Sequence, residues 1–161
     1  MGNFYSNVIS NDSRFHNLNR VADLNLLEPK TRSIIQTIID RATQGGIPVM
    51  VFETFRSQER QAQLFAQGAS TLKTVGVHHY GLACDIVKDI NGEPSWKGDF
   101  SFLGKLAHSV GMIWGGDWGD PKAKHSFVDS DHVQRITLRR QDALFTGDWY
   151  PDDTYDPYRD H

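Results

Sequence analysis

The spacing of apolar positions changes along this chain, and the changes mark out its elements. Ile34, Ile35, Ile38 and Ile39 recur at helical spacing after Leu26-Leu27-Glu28-Pro29, where a proline fits a first turn. This predicts a helix that runs to Gln44 and stops at Gly45-Gly46. Val49-Met50-Val51-Phe52 is a short, β-branched run and predicts a strand with Thr54-Phe55-Arg56 at its end. Ser57 is suited to cap a helix over 58–67, with Gln58 and Glu59 in its first turn and Gly68 after it. Residues 70–77 read as loop, 81–88 as strand and Ile90-Asn91-Gly92 as a turn. Phe102, Leu103, Leu106 and Val110 give residues 100–109 a helical period closed by Gly111. Met112-Ile113-Trp114 predicts a short strand, 127–136 a last strand region and 138–145 a helix. Residues 1–25 are polar and irregular and are expected to wrap the domain, and 148–161 form an acidic, aromatic tail without periodicity. No internal repeat is visible. Helices and strands mix without regular βαβ alternation, which predicts an α+β fold with a central antiparallel sheet flanked by helices.

A chain of 161 residues is expected to be one domain, 1–161, with its core over about 26–147. The net charge of −3 gives no electrostatic footprint for nucleic acid. No apolar run is long enough to span a membrane. The first eleven residues lack a basic start followed by an apolar segment, so no secretory signal is expected and synthesis is assigned to the cytoplasm. The single cysteine, Cys84, excludes an internal disulfide and reads as a small buried side chain.

The candidate chemistry lies in two short stretches. The first is Gly76-Val77-His78-His79-Tyr80-Gly81-Leu82-Ala83-Cys84-Asp85, the second Asp129-Ser130-Asp131-His132. Two imidazoles and one carboxylate suit zinc with a fourth position left to water. A further carboxylate, Asp129, is placed to take a proton. Strand alternation alone pairs Asp85 with His79, at an even separation, and turns His78 the other way. Similarly, Asp129 and His132 face oppositely on a regular strand and need a turn at Ser130-Asp131 to meet.

The two stretches resemble the M15 family of zinc peptidases, the group of D-Ala-D-Ala dipeptidases and L-alanoyl-D-glutamate peptidases. The family pattern Ser-x-His-x-x-Gly-x-Ala-x-Asp is present from His78 to Asp85, and its downstream Glu or Asp-x-x-His is present as Asp129-x-x-His132. Thr54-Phe55-Arg56-Ser57 and the helix after it resemble the family's Arg-Ser segment. Gly111-Met112-Ile113-Trp114-Gly115-Gly116-Asp117-Trp118 is similar to the Trp-Gly-Gly-x-Trp segment of the phage-lysin branch, as is Phe127 two residues before Asp129. The matches run in family order from about Pro48 to Gln134. Gly76 replaces the usual serine, Asp131 the usual proline and Val133 the usual aromatic, and the 119–126 stretch is longer.

The resemblance implies a fold like that of the D-Ala-D-Ala peptidases and hedgehog domains. It selects His78, Asp85 and His132 as ligands of Zn²⁺, so the chain must turn between His78 and Gly81 ahead of the Asp85 strand. It implies Asp129 as general base and Arg56 as the donor to a carbonyl oxygen or oxyanion. His79 is then a partly exposed histidine or one behind the ligands. His79, Tyr80 and Trp118 remain candidates for substrate contact. Trp114 reads as packing, Asp131 as solvated, His125 as an exposed loop histidine, and His16, His108 and His161 as bystanders. The implied function is zinc-dependent hydrolysis of a peptidoglycan stem peptide, as an L-alanoyl-D-glutamate endopeptidase acting as a cell-wall lysin. Rival readings are a D,D-carboxypeptidase or dipeptidase, a zinc-stabilised wall-binding module without catalysis, and an antibacterial toxin using the same chemistry. The expected partner is the stem peptide and the expected state a monomer. A holin or another export route is expected to bring the protein to the wall.

Overall fold

The computed structural model describes residues 2–68, 75–118 and 129–160 of the chain. The N-terminal stretch that reads as irregular contains α1 (Phe4–Asn7), where the Asn3 side chain accepts from the Ser6 N–H and the Ser6 hydroxyl accepts from the Asn3 N–H. A capped turn this short has no periodicity to detect. In α2 (Pro29–Gln44), the Glu28 carboxylate accepts from the N–H groups of Lys30 and Thr31, and Ile35, Ile38 and Ala42 are buried. Strand β1 (Val49–Glu53) follows, then α3 (Gln58–Ala66), whose cap is the Ser57 hydroxyl accepting from the Arg60 N–H.

Val77–Tyr80 forms a 3-10 turn before β2 (Ala83–Ile90). Asn91 and Gly92, at φ 55° and 85°, make a two-residue hairpin to β3 (Glu93–Ser95), a strand too short for the sequence pattern to predict. The remaining elements are α4 (Ser101–Ser109), β4 (Ile113–Trp114), β5 (His132–Gln134) and α5 (Gln141–Phe145), the last preceded by a 3-10 turn at Leu138–Arg140. The last strand is thus shorter than its sequence suggests. The His132 N–H bonds back to the Asp129 carbonyl at 3.2 Å, so residues 129–132 are a turn, as the two side chains require.

All strand pairings are antiparallel, in the order β1-β2-β5-β4 with β3 on β2. The fold is therefore α+β, a central antiparallel sheet with helices against it. Cys84 and Ile86 of β2 and Val133 of β5 bury against Ile35 and Ile38 of α2 and Leu103 and Ala107 of α4. Alternation then sends Asp85, His132 and Gln134 to the opposite face. Register completes the arrangement, because Asp85 is paired with Glu53 on one side and His132 on the other.

Two smaller clusters close the other face. Val77, Tyr80, Leu82, Ala83, Ile136 and Leu144 pack with tail aromatics including Trp149 and Tyr155, and Ile9, Val21, Leu26 and Phe55 pack beside Phe15. Gly81 joins them. Its φ is 74°, and a Cβ there would lie 2.8 Å from the Leu26 carbonyl oxygen, so glycine permits both the turn and the close approach. Among the described residues no helix is long and apolar enough to cross a membrane.

Candidate metal centre and its cleft

Three ligand atoms converge on the face opposite the helices. His78 Nε2 and His132 Nδ1 each lie 3.2 Å from Asp85 Oδ1, and all three side chains are buried. The outer nitrogen of each ring is tied to an acceptor. His78 Nδ1 donates to the Thr54 carbonyl at 2.7 Å, and His132 Nε2 donates to Gln134 Oε1 at 2.8 Å. Gln134 is itself oriented, since its Nε2 donates to the Ile136 carbonyl at 2.7 Å. These bonds place a hydrogen on the outer nitrogen of each ring and turn the other nitrogen inward, the orientation that metal ligation requires. Two imidazoles and a carboxylate are three donors, a set that suits zinc in a catalytic rather than a closed four-ligand structural site. The turn at Gly81 lets His78, rather than His79, share Asp85's side.

The charges of the three side chains are strongly linked. Burial favours a neutral Asp85, but both imidazoles outweigh it and hold the carboxyl well below the usual carboxylate range. Burial pulls His132 down, but Asp85 and Asp129 outweigh it and push the imidazole up to about 8.

Asp129 sits beside this group, with its Oδ2 3.9 Å from His132 Nδ1 and about a third of its side chain exposed. Its position depends on the glycines after Trp114. The Asp129 N–H donates to the Gly115 carbonyl at 3.0 Å, and a Cβ on Gly115 would lie 2.2 Å from the Asp129 carbonyl oxygen. A Cβ on Gly116 would lie 2.1 Å from the Trp114 ring. Trp114 packs against the main core and donates Nε1–H to the Ser130 carbonyl at 2.7 Å.

Asp131 is not solvated as its turn position suggests. It accepts from Trp96 Nε1 at 3.0 Å and lies with Asp85 and Asp129 in one acidic group. Burial, the Asp85 charge and contact with Asp129 push its carboxyl up to about 8.

Arg56 reaches the centre from the stretch after β1. Its Nη2 lies 3.4 Å from Asp85 Oδ2 and 2.9 Å from Glu53 Oε1, and Nη1 donates to Gln61 Oε1 at 3.2 Å. Glu53 also accepts from Arg60. Arg56 Nε is buried without a hydrogen-bond partner among the described residues. Trp118 lies with its ring centroid 5.0 Å from that of His132, and its buried Nε1 likewise has no partner among the described residues.

The structure separates the other candidates from the centre. His79 is buried in a ring of Tyr5, Phe15, Phe55 and Tyr80, and burial lowers its basicity. Tyr80 lies in the apolar cluster under Phe145, with its hydroxyl 3.4 Å from the Phe145 carbonyl. His16 pairs with Glu59 and His108 with Asp117, and neither histidine belongs to the His78, Asp85 and His132 group. Phe127, His125, His161 and the 119–126 stretch lie outside the described residues. Gln134, Glu53 and Trp96 were not visible as site residues in the sequence. Alternation from His132 would have found Gln134, but the contacts of Glu53 and Trp96 depend on strand pairing.

No family model matches the chain. It is 34% identical over 119 residues to the L-alanyl-D-glutamate peptidase of Listeria phage A118, a match covering 71% of this chain and 40% of that protein. The chain thus spans well under half the length of that relative. It is 27% identical over 144 residues to the peptidoglycan L-alanyl-D-glutamate endopeptidase CwlK of Bacillus subtilis, covering 76% of this chain and 83% of that protein. Among solved structures, the L-Ala D-Glu endopeptidase ChiX of Serratia marcescens shares the fold at a TM-score of 0.58 and 24% identity, covering 76% of this chain and 93% of that one.

Proposed function

We infer that this chain, which belongs to the M15 family of peptidases, is a zinc-dependent peptidoglycan hydrolase that cleaves the L-alanyl-D-glutamate bond of the stem peptide. The observation that carries this reading is the convergence of His78 Nε2 and His132 Nδ1 on Asp85 Oδ1, at 3.2 Å each, with Asp129 alongside. The names of the phage A118 and Bacillus subtilis relatives support the bond assignment.

In this reading His78, Asp85 and His132 would hold the metal, and Thr54 and Gln134 orient both imidazoles toward it. Zinc bound there supplies a Lewis acid for a water and a peptide carbonyl. Asp129, partly exposed beside His132, accepts the proton of the attacking water and returns it to the leaving amine. Arg56, fixed by Glu53 and Gln61, offers its guanidinium to the oxyanion that develops on the scissile carbonyl. Trp118 forms a wall of the cleft against His132. The protein acts as one domain and as a monomer, and reaches the wall by a holin or another export route.

Metal removal tests the assignment. Chelated protein is expected to lose hydrolysis of purified peptidoglycan, and one equivalent of zinc to restore it. His78→Ala is expected to abolish both metal retention and hydrolysis. Full hydrolysis by metal-free protein would refute the reading.

A further inference from the structure

Arg56 belongs to no helix or strand. It sits in the unpaired stretch between β1 and α3, so no ladder of backbone hydrogen bonds fixes its Cα. The Thr54 N–H and hydroxyl bond the Val21 and Asp23 carbonyls and the Ser57 hydroxyl bonds that of Asn17, while the carbonyls of Thr54 and Arg56 are held by a pair of adjacent histidines. His78 Nδ1 donates to the carbonyl of Thr54 at 2.7 Å, and His79 Nδ1 donates to the carbonyl of Arg56 at 3.1 Å. Phe55, between the two carbonyls, is buried, with its ring centroid 5.6 Å from that of His79.

The second ring nitrogen of His79 decides whether this bond can form. A carbonyl only accepts, so Nδ1 must carry the hydrogen and Nε2 must be the acceptor. The Tyr5 hydroxyl lies 2.9 Å from Nε2 and is the donor that this tautomer needs. Tyr5 belongs to α1, whose reciprocal Asn3–Ser6 cap fixes its place. His79 is 1% exposed, so water cannot substitute for either bond.

We propose that His79, with its tautomer set by Tyr5, is a positioning residue that places the Arg56 guanidinium at the metal centre. The proposal rests on the hydrolase reading for its kinetic consequences but not for its geometry. One histidine of the pair thus serves the ligand set and its neighbour the oxyanion donor, both through carbonyls two residues apart. The N-terminal segment becomes part of the cleft's support although it contributes no group to the cleft.

Three variants and one cycle test this. His79→Phe keeps the ring and removes both hydrogen bonds. His79→Asn keeps a donor near the Nδ1 position. Tyr5→Phe removes only the hydroxyl. Misplacing an oxyanion donor by a fraction of an ångström is expected to lower kcat on the order of 10-fold in His79→Phe, with KM within about twofold. His79→Asn is expected to recover most of the loss, Tyr5→Phe to fall between, and zinc content to stay at one per chain throughout. In an Arg56→Ala background His79→Phe is expected to change kcat by less than about twofold, because the two losses are one loss. Multiplicative losses in that cycle, or an Asn variant no better than Phe, would overturn the proposal. A second readout needs no activity. The Arg56 Nη–H resonances, held by Glu53 and Gln61, should be sharp and slow to exchange in the parent and in His79→Asn, and broadened in His79→Phe. An unchanged resonance in all variants would also overturn it. A parent protein that hydrolyses no peptidoglycan would defeat the hydrolase reading and leave this second measurement to decide the role of His79.

Discussion

At the scale of single residues the account turns on three acidic side chains that share one small volume. Asp85 is held charged by two imidazoles, Asp129 is partly exposed, and Asp131 is turned onto Trp96. Asp129→Asn is expected to retain zinc and to lower turnover by roughly 10²-fold or more, since the proton acceptor alone is removed. Asp131→Asn is expected to cost less, because an amide oxygen can still accept from Trp96. Metal analysis alongside hydrolysis of purified wall checks both, and a reversed order would reassign the base. Arg56→Lys is expected to be damaging, as an ammonium cannot reproduce the fork that engages Glu53, Gln61 and a carbonyl together. The pH dependence has a definite sign. In metal-free protein His132 is raised from its ordinary 6.5 to about 8. Its contribution to stability is therefore fully present below about 6.5 and lost as pH rises through about 8. Zinc binding runs the other way, because it must displace that proton. At pH 7 it should release close to one proton, with affinity falling as pH drops below about 8. Calorimetry in buffers of different ionisation enthalpy measures this, and zinc uptake without proton release would contradict it. The grouping of His78, Asp85 and His132 with Asp129 beside them was legible at this scale because their residue types and order carry the resemblance. The orientation of Asp131 was not, because its partner Trp96 is 35 positions away in sequence.

Elements explain why the ligands meet. The 3.6-residue period of α2 and α4 and the β-branched run of β1 were readable, and each of these elements forms close to its expected bounds. β3 and α1 were not, since three or four residues hold too little pattern. Alternation alone favoured His79 beside Asp85. The turn at Gly81, at φ 74°, reverses that preference, and the chain is also tied there by the Glu28 N–H donating to the Gly81 carbonyl at 2.9 Å, which no local pattern contains. The Trp114-Gly115-Gly116 segment is an analogous case. It can be recognised in sequence, but its reason is steric, since a side chain on Gly115 would strike the backbone of Asp129. Gly115→Ala is therefore expected to lower stability by about 1–3 kcal/mol and to displace Asp129. The expected signature is a lower Tm together with lost turnover at unchanged zinc content. A variant with parental Tm and turnover would show that the 115–129 contact does not position the base.

Across the whole molecule, remote parts of the chain brace the sheet that carries the candidate site. Arg135, on the strand side, is 1% exposed and pairs with Glu28 at 2.8 Å, while Glu28 also caps α2. The Arg135 guanidinium reaches the Asp152 carbonyl as well, and Tyr158 donates to the Met112 carbonyl at 2.7 Å. Arg135→Met leaves the Glu28 carboxylate buried without its partner and is expected to cost about 3–5 kcal/mol. Adding Glu28→Gln should recover part of that loss in a denaturant melt, and a fully additive loss would contradict the pairing. The central claim is that this face hydrolyses one particular bond. Zinc-loaded protein should be incubated with purified muropeptides and the products read by mass spectrometry, with Asp129→Asn as the control. The account predicts new L-Ala carboxyl and D-Glu amino ends, absent from the control. Release of D-Ala instead, or intact muropeptides bound tightly by zinc-loaded protein, would contradict it.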